Sequence, residues 1–124
     1  MALRLNEFSE GIAAFYTDLG NLMHDVIVLS MTEFGRSAEE NGSRGTDHGN
    51  ASTWHVIGKS IQGGIYTGAR GWPGLRPEQL DRGRYLAHTV DFRDVMAEVL
   101  TQHLTSQELA SVLPGHHYTP VGFL

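Results

Sequence analysis

Three residues of this chain have the types and spacing to do chemistry together: Glu33, Asp47 and His48. Glu33 stands in Thr32-Glu33-Phe34-Gly35-Arg36, shortly after the apolar, β-branched run at residues 26–29. Asp47 and His48 lie in Gly45-Thr46-Asp47-His48-Gly49, a pair framed by glycines. Carboxylate oxygen and imidazole nitrogen are ligands for divalent ions such as Zn²⁺, Mn²⁺, Ca²⁺ or Mg²⁺. Adjacent residues cannot both face one side of a strand, but on a loop they can converge, and flanking glycines free the backbone to let them. A carboxylate just past a buried strand is poorly placed for plain solvation, and ligands of open α/β sheets bind outside the carboxyl ends of strands. Each residue also has an ordinary reading: Asp47 as a turn residue, His48 as a surface imidazole, Glu33 as the partner of Arg36 or Arg44. The three residues by themselves leave both readings open.

Composition narrows the field. The 124 residues fit one domain, residues 1–124, and the 40% hydrophobic fraction is ordinary for a soluble globular protein. A net charge of −5 without a Lys/Arg cluster gives no reason to expect nucleic acid or an anionic membrane as partner. No apolar run approaches a membrane span, and the N-terminal residues carry no signal-peptide pattern, which leaves the compartment unassigned. Without cysteine, a metal would rest on carboxylate and imidazole alone. Fifteen glycines point to loops where the backbone takes unusual angles or approaches another group closely.

The elements that must position the three residues can be read from periodicity. Asn6 is suited to cap a first helix whose Phe8, Ile12, Phe15 and Leu19 share a face, and Gly20 should end it. Residues 26–31 read as a central, parallel strand buried on both faces. Residues 38–50 read as loop, with turn chemistry at Asn41-Gly42 and Arg44-Gly45. A second strand is expected at 53–57, a turn at 58–64 and a short third strand at 65–67. Residues 68–84 lack periodicity and form an irregular excursion, whose arginines solvate the surface or reach an anionic substrate. Asp91 should cap a helix striped by Phe92, Val95, Met96, Val99, Leu100 and Leu104. A short helix at 107–113, capped by Ser106, ends at Pro114-Gly115, and residues 116–124 show no pattern. The expected class is α/β, a small sheet with flanking helices.

The order of motifs carries more. Thr32-Glu33-Phe34-Gly35-Arg36, Asn41-Gly42, Gly45-Thr46-Asp47-His48-Gly49, Gly63-Gly64, Trp72-Pro73-Gly74-Leu75, Thr89-Val90-Asp91-Phe92-Arg93 and Leu113-Pro114-Gly115 together resemble one bacterial family, domain of unknown function 1501. That family is placed in the alkaline phosphatase and sulfatase superfamily, and the chain is similar to the C-terminal portion of its longer members. The resemblance implies part of an alkaline-phosphatase/sulfatase-like sheet with flanking helices and a metal-dependent hydrolase of phosphate or sulfate esters. It places Glu33 and Phe34 where the superfamily has a metal-binding Asp and His, and matches Asp47 and His48 to a later metal-binding loop. Phe34 cannot bind a metal, a departure from the two-metal pattern. The superfamily's nucleophile comes from its N-terminal part, and none of Ser30, Thr32, Ser43 or Thr46 matches it by motif, so the catalytic residue stays unassigned. Intact members resemble exported, periplasmic proteins with a twin-arginine signal, which is absent from these residues. The resemblance therefore implies a segment with little activity alone, or else a non-catalytic binding or assembly module retaining the fold. Either needs its apolar faces covered, by a missing N-terminal portion or by a homo-oligomer.

Overall fold

The computed structural model describes residues 2–124. Helix α1 runs Ala2–Leu19. It begins before Asn6, because nothing in Ala2-Leu3-Arg4-Leu5 breaks a helix. Asn6 accordingly sits inside α1, donating from Nδ2 to Glu10 at 2.6 Å rather than capping. Gly20 ends α1 as expected, at φ 51°, and a tight 3₁₀ turn follows over Gly20–His24.

Strand β1 covers only Val28–Ser30, and its partner is β4, His55–Ile57, in the antiparallel register Val28↔Ile57, Leu29↔Val56 and Ser30↔His55. The expected central parallel strand is thus a half-buried arm of a two-stranded ribbon. A continuous apolar run is equally compatible with either setting, and no crossover helix joins β1 to β4 to make them parallel. A second ribbon pairs β2, Gly35–Arg36, with β3, His48–Gly49. Residues 65–67, expected as a strand, join no ladder: Ile65 stands 94% exposed, and Tyr66 donates its hydroxyl back to the Gln62 carbonyl at 2.7 Å. Among the described residues, two short antiparallel ribbons and three α-helices make this a small mixed helix/strand domain.

Helix α2, Phe92–Glu98, is capped as expected by Asp91, whose Oδ1 accepts the Arg93 main-chain N–H at 2.9 Å. Side-chain hydrogen bonds from Arg93 hold the Asp91 carboxyl down to about 2. The helix widens into a π turn, Val99–His103, closed by an N–H of Leu104 on the Val99 carbonyl at 3.1 Å. Helix α3 is a single turn, Leu109–Val112, shorter at both ends than expected. Ser106 Oγ still accepts from the Glu108 N–H at 3.3 Å.

The tail, patternless in sequence, is anchored by two carboxylates of α2, Glu98 and Asp94. Glu98, 1% exposed, accepts main-chain N–H groups from Val121 at 2.5 Å, Gly122 at 2.9 Å, Phe123 at 2.6 Å and Leu124 at 3.0 Å. Asp94 takes the Thr119 N–H at 2.9 Å and His116 Nε2 at 2.7 Å. This draws Phe123 inward, and with Met23 and Ala97 it makes up the buried apolar core among the described residues. Much apolar surface stays outside that core. The molecule exposes 8811 Å², where a compact monomer of 13.7 kDa would expose about 6,600 Å².

Candidate functional site

The two motif segments that sequence separates by a dozen residues are brought into register by β2 and β3, with Gly35 opposite Gly49 and Arg36 opposite His48. Both glycines are required by crowding. A Cβ at Gly35 would overlap the main-chain N and O of Ala51, and one at Gly49 would lie 2.7 Å from the Arg36 carbonyl oxygen. Larger residues would force the strands apart. Outside the ladder, the Arg36 N–H donates to the Ala51 carbonyl at 3.0 Å, and the Ser37 N–H to the Asp47 carbonyl at 2.9 Å.

Asn41 organises the loop between them. Its Oδ1 accepts the N–H groups of Ser43 at 3.0 Å and Gly45 at 3.1 Å, an Asx turn with one further bond, while its Nδ2 donates to Asp47 Oδ1 at 2.9 Å. Buried Ser37 adds a bond from the Asp47 N–H to its Oγ at 3.1 Å. The excursion at 68–84 closes against this loop: the Ala38 N–H meets the Arg84 carbonyl at 3.0 Å and the Leu86 N–H meets that of Arg36 at 3.4 Å. Arg84 is thereby set to pair with Asp47 Oδ2. The Asn41 amide, followed by the Arg84 guanidinium, holds the Asp47 carboxyl below its ordinary range against the opposing push of burial. Asn41 was legible as a turn residue, but nothing local in sequence marks Arg84, which lies 37 positions from Asp47.

His48 is exposed, its ring stacked on Phe34 with centroids 4.4 Å apart and planes 9° from parallel. Thus Phe34, whose ring offers no donor to a metal, packs on the imidazole. Phe34 and Glu33 both line an open concavity of about 270 Å³ with Thr32, Arg36 and Ser52. Asp47 turns instead toward Asn41 and Arg84. Among the described residues, no group of three or more His, Asp or Glu converges as a cation site. The donor set therefore fits a metal only in part: Asp47 and His48 are adjacent, both Asp47 oxygens already accept from protein donors, and Glu33 is not brought to them.

A model of the family "Protein of unknown function (DUF1501)" matches residues 1–114. The chain belongs to that family. The match embraces both ribbons, the Asn41 loop and the Asp91-capped helix, so every feature of the site in this DUF1501 chain falls within it. No curated protein and no solved structure matches the chain.

Proposed function

We propose that this DUF1501 chain forms one wall of a metal-dependent ester hydrolase site of the sulfatase and alkaline phosphatase kind. Asp47, His48 and Glu33 are its donor groups, with the nucleophile and further ligands supplied from outside these residues. The observation that supports the reading is the β2–β3 pairing, which sets Gly35-Arg36 against His48-Gly49 and so lays the two motif segments side by side. A divalent ion would stabilise the charge developing on a phosphate or sulfate ester and activate an oxygen nucleophile. Of this chain's own groups, His48 offers an imidazole that must be neutral to bind, and Asp47 a carboxylate available once Arg84 moves off it. Arg36 borders the concavity and complements the negative oxygens of such an ester.

The Asp47–Arg84 pair and the stacking of Phe34 on His48 favour a second reading, a non-catalytic binding or assembly module that keeps the fold. Calorimetric titration with Zn²⁺ and with Mn²⁺ separates the two. The hydrolase-wall reading expects weak binding that is lost in His48→Ala while the circular dichroism spectrum stays unchanged. No heat from the native chain, or heat indifferent to His48→Ala and Asp47→Ala, decides for the module. Aryl phosphate and aryl sulfate turnover should stay at background with either metal. Turnover by this chain would overturn the placement of the nucleophile elsewhere.

A further inference from the structure

Helix α1 carries an interaction surface that is independent of the Asp47 loop. Its Leu5, Phe8, Ile12, Phe15 and Leu19 recur at alternating steps of three and four, the heptad seam of a helix that packs along another helix. Leu5 is 59%, Phe8 44% and Phe15 47% exposed, so the seam is largely uncovered. Leu5, Phe8 and Ile12 form one wall of an open groove of about 610 Å³, with His55 and Ile57 of β4 as the other. An apolar groove of that form accepts the apolar face of an amphipathic helix.

We propose that the helix in this groove is α1 of a second copy of the chain, running antiparallel about a two-fold axis near Gly11. Charge placement carries the choice of partner and direction. Arg4 and Asp18 lie seven residues either side of Gly11. An antiparallel pair brings each Arg4 toward the partner's Asp18, whereas a parallel pair sets Arg4 opposite the uncharged Ser9 and makes no such ion pair. Arg4 is free to make the exchange, since its ion pair with Glu7 within one protomer is 84% and 63% exposed on its two sides. Gly11 supplies a second argument. Nothing lies within 4 Å of a Cβ placed there, so no contact inside the protomer requires glycine in mid-helix, where it weakens the helix relative to alanine. Close approach of a second backbone at the crossing point does require it. The molecule as a whole exposes about 2,200 Å² beyond a compact monomer, and the α1 seam is one of the apolar faces that make up this excess.

The test is sedimentation velocity of the full chain at micromolar concentration, read beside the helical circular dichroism signal. Twice 13.7 kDa is expected for the native chain. Phe8→Asp should give a monomer with its helix signal retained. Gly11→Leu should weaken association while raising helix content, the opposite of a folding defect. Arg4→Asp and Asp18→Arg should each weaken pairing several-fold, and the double reversal should restore it. A native chain that stays monomeric, leaving the groove to a different polypeptide, overturns the proposal. So does a dimer indifferent to Phe8→Asp and Gly11→Leu, or a double reversal that fails to recover association.

Discussion

Two carboxylates organise two regions of this molecule, and their settings differ. Glu98 is 1% exposed and surrounded by main-chain N–H groups of residues 121–124, whereas the Asp47 side chain is 45% exposed and held by two side chains, Asn41 and Arg84. Both carboxyls titrate below their ordinary range, by different balances. Burial pushes the Glu98 carboxyl up, and the N–H groups of Gly122, Leu124, Val121 and Phe123 together more than offset it. At Asp47 the Asn41 amide dominates, and burial opposes it. Main-chain donors fixed by the fold cannot leave without the tail unfolding, so Glu98 is committed to structure. Flexible side-chain donors on an exposed carboxylate can be exchanged for a ligand at small cost. The comparison separates a carboxylate that holds the fold from one available for function.

The largest effect that would break this contrast belongs to Glu98. Glu98→Ala leaves four N–H groups without their acceptor and should cost about 3–5 kcal/mol, a large part of the ~5–15 kcal/mol typical of a domain. Urea denaturation would measure the loss, and limited proteolysis should show cleavage shifting into residues 116–124. The pH dependence follows from the same clamp. Because the folded carboxyl lies below the ordinary 4.5, its contribution is complete above that value and is lost as pH falls through the lower, folded one. Glu98→Gln should flatten that acid limb. An unchanged acid limb would show that the clamp is not what acid breaks.

Next in size is the crowding between β2 and β3. Gly35→Ala forces a methyl into the Ala51 main chain and should destabilise by about 2 kcal/mol, visible as a lowered thermal midpoint. It should also free the His48 ring from Phe34, read as an imidazole chemical-shift change by NMR. Stability unaffected by Gly35→Ala would mean that the two motif segments are not clamped together.

The smallest effect is expected at the exposed carboxylate. Asp47→Asn and Arg84→Ala each remove an ion pair whose side chains are 45% and 57% exposed, so the expected change lies within the range of experimental error. Equilibrium unfolding should place both within that range of the native chain. A loss several times larger would move Asp47 into the same structural class as Glu98 and weaken its assignment to function.

The chain's own residues determined its local features, because these depend on neighbours a few positions away. The α1 stripe, the Gly20 stop, the strand at 55–57, the Asp91 cap and the turn character of Asn41 were all legible from type and spacing. Membership of the DUF1501 family was legible too, since ordered motifs survive in sequence whatever the fold does with them. Only the tertiary structure decided that residues 28–30 pair antiparallel, because an apolar run specifies burial and not a partner's direction. Only it turned Arg84 onto Asp47 and stacked Phe34 on His48, since both contacts depend on how distant segments close. Glu98 is the clearest case. In sequence it is one acidic residue on a helix beside a patternless tail. The tail's partner is an acceptor that main-chain N–H groups of any sequence can use, so no side-chain pattern in residues 116–124 had to announce it.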